Sequence, residues 1–306
     1  MDLKHKIIQL VDDLDEYSDD IMDSVIVHLE RAEYFLEQGD VLYDDQYYND
    51  VVYRTNQAYE GILKFAYIVF TGDYNEDGSC SLSTYQIENH FEKTQVFNYR
   101  VKIAFTLYRK LWRNPSAHDS ELFFNRDEAF LAIIYVSTFI YILLGKCSEH
   151  ISYKVSKFLA DLDEHEEVID QEVIIKKLMT FHKLPIDKLI KEDSIPQLIG
   201  SIKGYLERIN SGIEVVTHYK GDDVIGYQPD IVLNYGDETL IFIEVKRDYT
   251  EKKQEYGHKQ LKDSLFRSDV KKGIIYFYTD EIDAEYEEDR KRIRDREIIT
   301  LKPKSE

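Results

Sequence analysis

The stretch "QPDIVLNYGDETLIFIEVKR", Gln228 to Arg247, decides how the second half of this chain folds. Two apolar runs rich in β-branched residues flank a Gly-Asp turn signal, the pattern of two adjacent strands. Asp230 opens the first run. Glu244 and Lys246 stand two residues apart near the end of the second, so they project from one face of that strand. An acid, a second acid and a lysine therefore converge at one rim of the expected sheet.

Working outward, "IPQLIGSIKGYLERINSG" before the pair has helical periodicity, and "IEVVTHYKGDDV" reads as a further strand. After it, "EKKQEYGHKQLKDSLFRSD" returns to helix and "KGIIYFYTD" to strand. Helix, three strands, helix, strand suits a mixed sheet with helices packed on it. From Lys246 to Lys272 there are nine Lys or Arg against five acids, a local surplus suited to following a phosphate backbone.

With that order, "QPD" and "EVK" resemble the PD-(D/E)XK nuclease superfamily, also called restriction-endonuclease-like, over roughly residues 190 to 300. The resemblance implies an αβββαβ domain that hydrolyses phosphodiester bonds with Mg²⁺ or Mn²⁺ held by Asp230 and Glu244. Hard oxygen ligands suit such ions, which also relieve the repulsion between two facing carboxylates. Lys246 would orient the attacking water or stabilise charge in the transition state. Members often add an acid from the first helix and a polar residue from the helix after the lysine strand; Glu207 and Gln260 stand in those places. The bland alternative is a pair of strand ends carrying ordinary surface charge.

The first half differs in kind. Up to about Leu162 the sequence is nearly all helical, in long runs of 3.6-residue period such as "DDIMDSVIVHLERAEYFLEQ" and "YNDVVYRTNQAYEGILKFAYIVF". The turn-rich "TGDYNEDGSCSLS", Thr71 to Ser83, joins two helices. "AFLAIIYVSTFIYILL", Ala129 to Leu144, is uncharged but shorter than a bilayer span requires, so it is expected to be the buried central helix of a bundle. Asn125 and Glu128 form its capping-box start signal, and Gly145 its expected stop. The domains expected are a helical bundle over 1–162, a helical linker region over 163–195 that opens on the acidic "DLDEHEEVID", and the sheet domain over 196–306.

Formal net charge is -20 with 32% charged residues. Residues 1–170 carry about -17 of it and residues 171–306 about -3, which argues against a chain that binds nucleic acid or anionic membrane indiscriminately. Two cysteines, Cys80 and Cys147, and a charged N-terminus without an apolar signal core point to a reduced, cytoplasmic setting with no membrane association. The histidines show no paired metal spacing, and Trp112 and the many tyrosines are expected to fill cores and interfaces.

The bundle holds a second motif, "RNPSAHDSE", with Arg113 and His118 separated by four residues and Asn114 following the arginine. It resembles the HEPN domain, a helical bundle whose ribonuclease members carry Arg, four to six residues, then His. The resemblance implies that His118 exchanges a proton with the ribose 2′-hydroxyl or the leaving oxygen while Arg113 clamps the phosphate, without a metal cofactor. It also implies a homodimer through the helical domain, with the motifs facing each other. Glu60 either supports that site or faces solvent.

Three functions follow as expectations. The first is a metal-dependent endonuclease acting on DNA, in a prokaryotic anti-phage or foreign-DNA defence role. The second is a metal-independent HEPN ribonuclease toxin that uses the C-terminal domain for recognition of DNA or RNA. The third is a non-catalytic dimeric nucleic-acid-binding protein. Each leaves room for an operon-encoded partner protein.

Overall fold

The computed structural model describes residues 3–12, 14, 20–94, 96–97, 99–115, 123–159, 171–184, 194–209, 212–217, 228–236 and 238–304. The chain divides into two compact units, Met1–Ser148 and Glu149–Glu306, with the division falling inside one long helix.

The first unit is helical: α1 (Leu3–Asp12), α2 (Asp20–Leu42), α3 (Gln46–Thr71), α4 (Thr84–Lys93), α5 (Tyr99–Tyr108) and the start of α6 (Arg126–Leu159). Gly61 lies against Val25 and Gly39 against Tyr48, so α2 and α3 pack as an antiparallel pair. An aromatic chain fills the interior, with Phe97 on Phe91 and Phe105, and Phe105 on Phe139 of α6. The capping box at the start of α6 is present in both directions. The Asn125 amide donates to Glu128 Oε2 at 2.9 Å, and the Glu128 amide to Asn125 Oδ1 at 3.0 Å.

Two details of α6 differ from expectation. It does not stop at Gly145 but continues to Leu159. The run after the glycine still puts small and apolar residues on the buried side, Cys147, Ser148, Ser152 and Ser156, and their packing outweighs the roughly 1 kcal/mol that a mid-helix glycine costs. The helix is also buried on one face only, through Ala132, Val136, Phe139, Ile140 and Leu143, while Phe130, Leu131 and Ile134 are exposed. By length and composition it could cross a membrane, but half of its most apolar window is buried inside the fold.

The second unit contains α7 (Gln171–Phe181), α8 (Ile195–Ile209), β1 (Ile213–Thr217), β2 (Ile231–Tyr235), β3 (Glu238–Arg247), α9 (Glu251–Phe266), β4 (Lys272–Tyr278), β5 (Tyr286–Ile293) and β6 (Arg296–Pro303). Pro196 sits in the first turn of α8, where its missing N–H costs nothing. The six strands form one mixed sheet in the order β1-β2-β3-β4-β6-β5; β3, β4 and β6 are parallel, and β2 and β5 run against their neighbours.

Alternation along β3 sorts its side chains to two cores. Ile241, Ile243 and Val245 join Ile274, Tyr276 and Leu301 beneath α7 and α8, while Phe242 joins Val232, Ile275, Phe277 and Leu261 beneath α9. Glycines allow the helices to sit close. A Cβ at Gly200 of α8 would stand 2.0 Å from the Glu149 carbonyl oxygen of α6, and one at Gly204 would stand 2.4 Å from that of Tyr153.

The order helix, three strands, helix, strand runs from α8 to β4. The hairpin β5–β6 extends the sheet beyond that reading, because "YEEDRKRI" has no apolar alternation to announce a strand.

Candidate active site

Antiparallel pairing places Ile231 opposite Ile243, and one further step of that register brings Asp230 opposite Glu244. Directly opposed residues share a face, so the two acids stand on the α9 side of the sheet, with Lys246 two residues along. Pro229, buried, leads Asp230 into the strand without asking for a ladder hydrogen bond of its own. Asp230 Oδ2 accepts from the Val245 amide at 2.9 Å, which ties the acid to the partner strand.

Burial raises the Asp230 carboxyl above the ordinary carboxylate range; the Val245 amide, the Lys246 charge and a side-chain hydrogen bond with Glu244 pull it back only in part. Glu244 is fully buried, and Lys246 Nζ donates to its Oε1. The cluster thus pairs two adjoining carboxyls with one ammonium in a site largely closed to water. A buried negative charge is expensive unless it meets a cation, and here it meets one.

The end of β3 is pinned by residues the sequence reading did not single out. Arg247 is 8% exposed, forks onto Asp280 at 2.8 and 2.9 Å, and lies over the Tyr278 ring at 5.6 Å. Asp248 turns the chain with φ 51°, its amide donating to the Tyr278 carbonyl, while Lys253 Nζ donates to the Arg247 carbonyl at 2.8 Å. These contacts hold the backbone on either side of Lys246. The only local signal was an arginine directly after the lysine.

Gln260 lies on the sheet-facing side of α9, in line with Gly257, Leu261 and Ser264. Its Oε1 is buried and has no hydrogen-bond partner among the described residues, an acceptor waiting for a donor. No hydrogen bond joins it to Asp230, Glu244 or Lys246. Glu207 is placed elsewhere: its carboxylate accepts from the Tyr153 hydroxyl at 2.8 Å and from Lys157 at 3.2 Å, both on α6. On the outer side of α9, Lys252, Lys259 and Lys262 are exposed.

In the helical unit, α5 runs into a π-helical turn, Arg109–Arg113. Such turns insert an extra residue and re-aim the side chains that follow. Here Arg113 reaches Asn114 Oδ1 at 3.2 Å and Glu60 at 3.4 Å. Below it, Arg109 and Tyr59 share Glu88 at 2.6 and 2.7 Å, and the Tyr108 hydroxyl donates to Asn56 at 2.7 Å. Trp112 is buried and donates to the Glu128 carbonyl at 3.1 Å. His118 lies outside the described residues.

No cluster of three or more His, Cys, Asp or Glu able to hold a metal occurs among the described residues. Comparison with protein-family models, with curated proteins and with solved structures returned no match.

Proposed function

We propose that the second unit is a metal-dependent nuclease of the PD-(D/E)XK type, hydrolysing phosphodiester bonds of DNA. The observation that carries the reading is the strand register that sets Asp230 opposite the fully buried Glu244, with Lys246 on the same face. Two carboxylates are few for a protein-enclosed metal site but suit Mg²⁺ or Mn²⁺, which keep most of their water and take further oxygens from substrate phosphates. Asp230 and Glu244 would hold the ion, whose chemistry when bound is to polarise the phosphate and acidify the attacking water.

The chain's own groups do the rest. Lys246, already hydrogen-bonded to Glu244, delivers positive charge where the phosphate's negative charge grows. The unpartnered Gln260 Oε1 can accept from a water or a nucleotide, and the exposed lysines of α9 offer contacts to the backbone. A role in defence against phage or foreign DNA belongs to the same proposal.

The test is incubation of the purified chain with single- and double-stranded DNA and with RNA, each with Mg²⁺ and with EDTA. DNA cleavage that needs Mg²⁺ and falls by about 10²–10³ in Glu244→Ala and in Lys246→Ala supports the reading. Full activity in both variants, with the fold intact, overturns it.

A second reading is a metal-independent ribonuclease in the helical unit, acting as a dimer. The π-helical turn favours it, by bringing Arg113 together with Asn114 and Glu60. RNA cleavage that persists in EDTA and vanishes in His118→Ala is its signature.

A further inference from the structure

The outermost strand, β5, pairs only with β6 and leaves its other edge open. Its residues Glu287 to Arg292 are all exposed. Proteins usually keep such an edge single with a proline, a bulge or a very short strand. β5 has none of these, since it pairs with β6 through eight consecutive residues without a shift. Lysine and other charges can also protect an edge, and a run of one sign would repel its own copy. The sequence Glu-Glu-Asp-Arg-Lys-Arg instead changes sign at its midpoint, so read backwards it is its own complement.

We infer that β5 pairs antiparallel with β5 of a second copy of this chain, joining two sheets about a two-fold axis. In a continuous sheet that axis is normal to the sheet, so opposed residues share a face and the register is centred on a residue. A register centred on Asp289 opposes two carboxylates. One centred on Arg290 opposes Glu288 to Arg292 and Asp289 to Lys291, each twice, and its only like-charge pair is Arg290 with itself.

The surroundings select the second register. Arg290 is already neutralised within each chain, by Glu172 at 2.7 and 2.9 Å and by Glu288. Asp289 and Lys291 form no ion pair with a described residue of their own chain; they face α9, where both act on His258, while β6 offers them Thr300 and Ile298. The second copy supplies each with the other. Opposite charges directly across a ladder stabilise it, and the open N–H and C=O groups of the two edges would bond each other.

The inference does not rest on the nuclease reading, and it concerns a surface separate from any dimer of the helical unit. The test uses the full chain in a Cys80→Ser background. Arg290→Cys places one thiol from each copy at the centre of the register, where opposed Cα atoms lie about 4.5–5.5 Å apart, within disulfide reach. With oxidised glutathione it should link on the order of tenfold or more faster than a Lys271→Cys control, because paired edges raise the effective thiol concentration from micromolar to millimolar.

The charge pattern is tested by reversal. Adding Glu288→Lys with Asp289→Lys, or Lys291→Glu with Arg292→Glu, to the Arg290→Cys chain should slow linking to the control rate in each chain alone. Mixing the two reversed chains should restore it as a mixed disulfide. Linking by Arg290→Cys no faster than control, or a mixture that fails to recover, overturns the inference. Loss of DNA cleavage leaves these readouts unchanged, so the two proposals fail separately.

Discussion

The two units hold their key residues by different means. In the second, backbone fixes position: Asp230 is tied to the Val245 amide, Glu244 takes its place from strand register, and α8 meets α6 with glycine against a main-chain carbonyl. In the first, side chains fix position: aromatic rings fill the interior, and Arg113, Arg109 and Glu88 are placed by ion pairs at half-buried sites. Side chains can change rotamer to absorb a change, whereas backbone contacts cannot yield without moving a whole element. The site built on backbone is therefore the more exact and the less tolerant.

The largest effect expected from that contrast comes from glycine replacement. Gly200→Ala would force a Cβ to 2.0 Å from the Glu149 carbonyl oxygen, so α8 has to shift; a loss of about 1–3 kcal/mol or more is expected in denaturant unfolding. Gly61→Ala in the helical unit meets only the Val25 Cγ2 methyl at 2.6 Å, which can rotate away. Equal losses in the two variants would break the comparison.

A smaller effect, of opposite sign, is expected at Asp230. Burial raises its carboxyl in the folded chain, so between the ordinary carboxylate range and that raised value the native state binds the proton more tightly than the unfolded chain. Stability contributed by this group is thus present at low pH and lost as pH rises through the raised folded value. Asp230→Asn should flatten the pH dependence and unfold at higher temperature at neutral pH, while removing cleavage. Thermal unfolding between pH 4 and 7 reads it, and a variant less stable at pH 7 would show that ionised Asp230 stabilises the fold.

The smallest effect belongs to the helical unit. Arg113→Ala breaks a half-buried ion pair with Glu60 at 3.4 Å, for which about 0.2–1 kcal/mol is expected. A much larger loss would mean that this site, too, is rigidly built.

Part of this was legible along the chain. Asn125 and Glu128 announced the start of α6 because a capping box is a local hydrogen-bond pattern, and β2 and β3 were visible because their apolar runs end at a turn. Asp230, Glu244 and Lys246 could be placed on one rim because two-residue alternation is geometric. The end of α6, by contrast, depends on what its serines and Cys147 pack against, which no local signal at Gly145 records. Glu207 stands in the position the nuclease pattern asks for, yet its carboxylate is held by Tyr153 and Lys157, some fifty residues away in the chain.

The sequence by itself determined the contrast between a helical half and a strand-bearing half, and the order of elements around the acid–acid–lysine set, since both are written in periodicities of 3.6 and 2. Only the tertiary structure decided that Arg247 and Asp280 brace the lysine strand, that the charged run Glu287–Arg292 is the sheet's open edge, and that Asp230 is buried enough to resist ionisation. The reason is that burial and pairing between distant segments are properties of the assembled surface. A charged residue reads the same in sequence whether the fold leaves it in water or closes around it.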